Sequence, residues 1–228
     1  MKKALTLVVL VVTPSIIFAQ GTVTMGNRTG LVQRWTSSSD STLVPVPVGG
    51  GYVQLIATPT GNPLLHPLGV YQGSSGFLPA YSSLSGFLAA NPGWGVPDSY
   101  AFGNPAPQVP TPINLGPGGF AGGDMVIYPL GEGAPADYLV IGWTGPYATY
   151  DAAYAADLAD PNSSFLGMST LATTQTGDPV VIGVPHFPVN LSGTFAGMTL
   201  APADIPEPTT VLVAGLGAVL MLLFRRRR

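Results

Sequence analysis

The sequence predicts a mainly β protein: an antiparallel β-sandwich with one short helix near residues 149–160, flanked by an N-terminal signal helix and a C-terminal transmembrane helix. Three observations carry this. Short β-branched and aromatic runs recur along the chain, each bounded by turn residues. Glycine and proline supply 54 of the 228 residues, close to a low-complexity composition, yet the apolar runs persist between them. One alanine-rich segment has both a helix start and a helix stop.

In chain order, residues 1–19 read as a secretory signal. Lys2 and Lys3 precede a 15-residue apolar run from Ala4 to Phe18, broken by Pro14 and too short to span a bilayer as a helix. Signal peptidase is expected to cut between Ala19 and Gln20, leaving a body over residues 20–203. Its predicted strands are "TVTMG" (22–26), "YVQLIA" (52–57), "DMVIY" (124–128), "YLVIGWT" (138–144), "VVIGV" (180–184) and "TFAGMTL" (194–200). Tyr52, Gln54 and Ile56 alternate with Val53, Leu55 and Ala57, so the second run presents two faces. The fourth is apolar throughout and is expected to be central.

The helix follows from "ATYDAAYAADLADP": Thr149 as N-cap, Asp151 in the first turn, Pro161 as the stop. Tyr150, Tyr154 and Leu158 at i, i+4 and i+8 are expected to dock on the sheet. Residues 58–123 read as irregular, with 91–119 a loop draped through Trp94, Tyr100 and Phe102; "GFLPA" (76–80) returns as "GFLAA" (86–90), a single echo that suggests paired turns.

Composition excludes several partners. Residues 20–205 hold ten acidic side chains against Arg28 and Arg34, a formal charge of −8 with no lysine. Nucleic acid and anionic lipid require clustered cations, so neither is expected to bind. Only 12 of these 186 residues are charged, and such a surface favours self-association or burial in a matrix. The chain has no cysteine, so disulfides, thiol nucleophiles and thiolate metal sites are absent.

The tail is the most specific signal. Thr209 to Phe224 form a 16-residue apolar stretch, about 24 Å long as a helix and at the short edge of spanning length. Arg225, Arg226, Arg227 and Arg228 follow as a stop-transfer cluster that holds the body outside the membrane. Pro206, Glu207 and Pro208 precede the span, and two prolines keep that backbone extended for a processing enzyme to grip. Motif, span and arginines together, residues 204–228, resemble the PEP-CTERM sorting signal. The resemblance implies recognition by an exosortase in the inner membrane of a Gram-negative bacterium, then delivery to the cell surface or extracellular matrix, with exopolysaccharide as an associated partner. "AQGTVTMGNRTG" and "GGGYVQLIATPTG" also resemble the opening of a group of PEP-CTERM proteins with a Y-x-x-Q-L-Y strand. Tyr52, Gln54 and Leu55 fit, Val53 and Ile56 depart, and no biochemical activity carries over.

Catalytic patterns are thin, and the protein is expected not to be an enzyme and to need no cofactor. His66 and His186 each lie in a proline-flanked loop, and either would need a carboxylate such as Asp178 to bind metal or to serve a secreted hydrolase. Asp157 and Asp160 near the helix C-terminus form a weak calcium candidate without the loop spacing calcium requires, so no metal is expected. Sequons stand at Asn27, Asn162 and Asn190. The leading expectation is a non-catalytic, exosortase-sorted surface or matrix protein. The alternative is a carbohydrate-binding sandwich using the aromatic group Tyr128, Tyr138, Trp143, Tyr147 and Tyr150, with Trp143 and Tyr147 as candidate stacking residues.

Overall fold

The structure, a computed structural model, describes residues 21–27, 30–65, 83–101, 104–177 and 187–203. The predicted signal segment, the 180–184 strand and the sorting tail lie outside these. In order come β1 (Thr22–Gly26), β2 (Val32–Ser37), β3 (Asp40–Pro45), β4 (Gly51–Pro59), α1 (Leu84–Ala90), β5 (Asp98–Ala101), β6 (Asn104–Ala106) and β7 (Thr111–Pro112). They are followed by β8 (Ala121–Val126), β9 (Pro135–Thr144), α2 (Tyr150–Ala159), β10 (Leu166–Met168), β11 (Ala172–Gln175), β12 (Val189–Asn190), a 3₁₀ turn (Leu191–Gly193) and β13 (Met198–Leu200).

The fold is mainly β with three sheets, ordered β12-β1-β8-β5-β6, β10-β9-β4-β7 with β11 also on β9, and β13-β2-β3. β9 is central as its apolar run predicts: it pairs antiparallel with β4 over nine residues, and with β10 and β11 along its other edge. Two pairings depart from an all-antiparallel arrangement, since β1–β12 and β2–β13 run parallel.

The alternation in β4 and β9 decides the layering. Val53, Leu55 and Ala57 with Ala136, Tyr138 and Val140 face one core, filled from the other sheets by Val23, Met25, Met125 and Leu200. Ile56, Leu139, Ile141 and Trp143 face a second core, covered by Phe87 of α1, Trp94, and Tyr150 and Ala153 of α2. Sheet packing therefore occupies one face of the β4–β9 pair, and helices occupy the other. Each fully buried aliphatic side chain in these cores contributes about 1.5–3 kcal/mol. The third sheet joins through close backbone approach at Gly167, where any Cβ would collide with the Thr199 carbonyl oxygen; Leu166 and Ala201 exchange backbone hydrogen bonds beside it.

Differences from the sequence expectations have local causes. The predicted 124–128 strand begins earlier, at Ala121, because Gly123 and Ala121 continue the β1 ladder; it ends at Val126, before the cis Tyr128–Pro129 bond. Of the 194–200 run only Met198–Leu200 is strand, since Thr194 ends the 3₁₀ turn and Gly197 holds φ +98°. Strands β5 to β7 lie within the stretch read as loop, where Trp94 is buried and Tyr100 half-buried. α2 forms where predicted, with the Thr149 hydroxyl accepting from Ala152 N. Its docking face differs: Tyr150, Ala153 and Asp157 are buried, Tyr154 is half-buried and Leu158 is exposed.

Candidate functional site

β4 has a neighbour along only part of its outer edge. β7 pairs with Tyr52 and Val53, then turns away, leaving the outward backbone groups of Leu55 and Ala57 to find other partners. Ala57 exchanges two hydrogen bonds with Gly95. Leu55 is met by a side chain: with the Gln108 amide oriented to match donor to acceptor, its nitrogen donates to Leu55 O at 3.0 Å and its oxygen accepts from Leu55 N at 3.2 Å. One glutamine thus stands in for a strand residue, which is why it is buried in a segment otherwise on the surface.

Above this edge, on the helix-covered face, lies a cavity of about 400 Å³. Gln54 and Gln108 line it from the sheet side, Leu84 and Leu88 from α1, Pro110 from the β6–β7 connection, and Tyr150 from the first turn of α2. Ser85, Thr149 and Asp151 form its exposed rim. Asp151 braces the opening, its Oδ1 accepting from Leu84 N at 2.8 Å and tying the start of α2 to the start of α1. α1 starts there because Ser83 is its N-cap, with its Oγ accepting from Gly86 N.

One group beside the cavity, the Tyr150 hydroxyl, is buried without a hydrogen-bond partner among the described residues, while the Gln54 side chain is 8% exposed. Burial, reinforced by Tyr154, Asp151 and Asp157, raises the Tyr150 phenol far above its ordinary range, so it remains a neutral O–H donor. Sequence reasoning passed over Gln54 as a site residue. The legible signal was a lone amide inside the apolar run of β4.

Ala203 is buried and donates its N–H to Asp157 Oδ2 at 2.7 Å. Residues 204–228, immediately beyond, match the PEP-CTERM protein-sorting motif. The chain carries a PEP-CTERM sorting motif. Such a motif implies processing by an exosortase, and export to the surface or membrane of a Gram-negative cell. No curated protein and no solved structure matches the chain.

The PEP-CTERM residues Pro206, Glu207, Pro208 and Arg225 to Arg228, together with Ala19, Gln20, His66, Asp178 and His186, lie outside the described residues. Trp143 is 0% exposed; its ring lies 6.2 Å from Tyr52 and 6.3 Å, edge on, from Tyr150, and its Nε1 donates to Tyr147 O. This corrects the stacking expectation, because a ring packed on both sides offers no face to a ligand. Tyr147 is half-buried, supplying that carbonyl, and Tyr138 is core. The Asp157 and Asp160 pairing is also corrected: Asp157 is buried against Ala203, whereas exposed Asp160 accepts from Asn162 N. Among the described residues no cluster of three His, Asp or Glu side chains is placed to hold a metal. The Asn27 amide donates to the carbonyls of Gly30 and Gly118 inside the fold, so that sequon is structural; Asn162 and Asn190 are exposed.

Proposed function

We propose that this protein is a non-catalytic component of the cell surface or extracellular matrix. It is exported through a signal peptide cut between Ala19 and Gln20 and released from its membrane anchor by an exosortase at Pro206 to Pro208. The observation that carries the reading is the match of residues 204–228 to the PEP-CTERM motif, starting one residue after the anchored Ala203. The chemistry of the body supports it. A surface with so few charges is solvated mainly by hydroxyls, amides and backbone, and suits contact with other neutral polymers or copies of itself. Only Asp204 and Ile205 lie between Ala203 and Pro206, three residue steps that span at most about 10 Å, so the folded body sits close to the membrane face until the tail is cut.

The test is the intact mass and C-terminal peptide of the protein purified from its host's extracellular fraction. A terminus within or beside Pro206 to Pro208 is expected. An intact terminus at Arg228 in the membrane fraction would make it an ordinary anchored ectodomain instead.

A further inference from the structure

The backbone that follows Gln20 is locked at its first described residue. Gly21 is buried; its N–H donates to Leu130 O at 2.7 Å and its carbonyl accepts from Ile127 N at 2.9 Å. A Cβ at this position would meet Thr176 Oγ1 at 2.7 Å and Gly131 O at 2.9 Å, so the body closes tightly around a bare glycine. Thr22, 0% exposed, exchanges backbone hydrogen bonds with Gly177, and β1 then runs between β12 and β8. The chain is seated in its sheet one residue after Gln20.

This seating protects the residue in front of it. An aminopeptidase removes Gln20 by cutting the bond to Gly21, and the nitrogen of that bond is the buried donor to Leu130 O. The bond is reached only when this end of β1 opens. Gln20 is therefore retained, and its own chemistry decides the fate of the terminus. An α-amine titrates near 8, so about a tenth of it is uncharged and nucleophilic at neutral pH. In a glutamine that nitrogen can attack Cδ of its own side-chain amide. A C–N bond forms, the bond from Cδ to the side-chain nitrogen breaks, and that nitrogen leaves as ammonia with the proton the amine gives up. The product is a five-membered lactam, and no oxidant, reductant or second substrate is consumed. No lysine competes: the chain's lysines are Lys2 and Lys3, both within the signal, and Arg28 and Arg34 carry guanidinium groups.

We propose, resting on the Ala19–Gln20 cut of the preceding reading, that the mature N-terminus is pyroglutamate and that the exported body carries no primary amine. Closure removes the terminal positive charge and denies an aminopeptidase its free amine. It also leaves the body with nothing that condenses with the carbonyl of a reducing sugar or with an activated acyl group at nitrogen.

Protein purified from its host's extracellular fraction provides the test. Fluorescamine, which reports primary amines, is applied to the intact protein before any digestion. No amine is expected for the natural chain, and one per chain for Gln20→Ser, whose terminus cannot close. Trypsin then frees the peptide that ends at Arg28, and its mass is expected to fall below that of Gln20–Arg28 by one ammonia. Pyroglutamyl peptidase should remove the first residue from this peptide but not from the folded protein, since the bond it cuts ends on the buried Gly21 N. A reactive amine on a chain that starts at Gln20 would overturn the proposal and leave the signal cut standing. A start at Gly21 or Thr22, or a folded protein that yields its first residue as fast as the peptide, would overturn the protection by β1 and the proposal with it. A start upstream of Gln20 would remove the cut itself, and the lactam with it.

Discussion

The Asp157 carboxylate, fully buried on α2, accepts the backbone N–H of Ala203 at 2.7 Å, fixing the residue that immediately precedes the PEP-CTERM motif to the helix that covers the second core. Replacing Asp157 with Ala leaves a buried N–H unsatisfied and is expected to destabilise the body by about 2 kcal/mol, read from urea unfolding. Ending the chain at Ile205 keeps the Ala203 clamp and is expected to change stability by less than about 0.5 kcal/mol. If that truncation instead cost as much as Asp157→Ala, the tail would be part of the fold rather than an appendage to it.

Gln108 leads to a second prediction. Its amide closes the β4 ladder at Leu55 between the β7 pairing and the Gly95 bridge, so Gln108→Leu strands one buried N–H and one buried C=O. At about 1–3 kcal/mol for each unsatisfied group, a loss of about 2–6 kcal/mol is expected. Hydrogen exchange should locate the damage, with the Leu55 amide losing protection while the amides paired to β9 keep theirs. A cost below about 0.5 kcal/mol would mean that water serves this edge equally well.

The sequence disclosed what repeats and concealed what is settled by single contacts. β4 and β9 were legible because their apolar positions alternate, or run unbroken, over a strand's length; α2 was legible from Thr149 and Pro161. β2 and β3 were not, since "TSSSDST" reads as a turn and β3 is exposed along almost its whole length. α1 was hidden by Gly86 at its centre, although Ser83 marked its start. Leu158 follows helical periodicity but is exposed, the buried face of α2 running instead through Tyr150, Ala153 and Asp157, whose carboxylate takes the Ala203 N–H. The cavity depends on Gln54, Gln108 and Asp151, three residues from distant segments, and no local pattern could bring them together.

Alkaline pH gives a third prediction. Burial raises the phenol of Tyr138 above its ordinary 10.0, with the hydrogen bond to Thr194 partly opposing the shift, and raises Tyr150 much further. A group whose folded pKa is raised contributes stability that is fully present below its unfolded value and is lost as pH rises toward the folded one. The fold should therefore weaken above about pH 10, and phenolate absorbance should rise in two stages. Tyr138 contributes to the later stage, and Tyr150, raised much further, ionises only as the chain unfolds. A single titration near 10 that includes every tyrosine, with far-UV circular dichroism unchanged, would contradict the burial of both.

Trp143 decides between a surface role and a core role for the aromatic group. Its indole is 0% exposed, stacked near Tyr52, edge on to Tyr150 and hydrogen-bonded through Nε1 to Tyr147 O at 2.8 Å. Trp143→Ala should thus behave as a core truncation, removing a large buried ring and stranding that carbonyl, at a cost of about 3–5 kcal/mol. Trp143→Phe keeps much of the packing but not the donor, and is expected to cost about 1–3 kcal/mol. Urea unfolding of both variants checks the order as well as the size of the losses. A ring that stacked on a ligand at the surface would give the opposite result, with truncation changing stability by less than about 0.5 kcal/mol and the two variants indistinguishable.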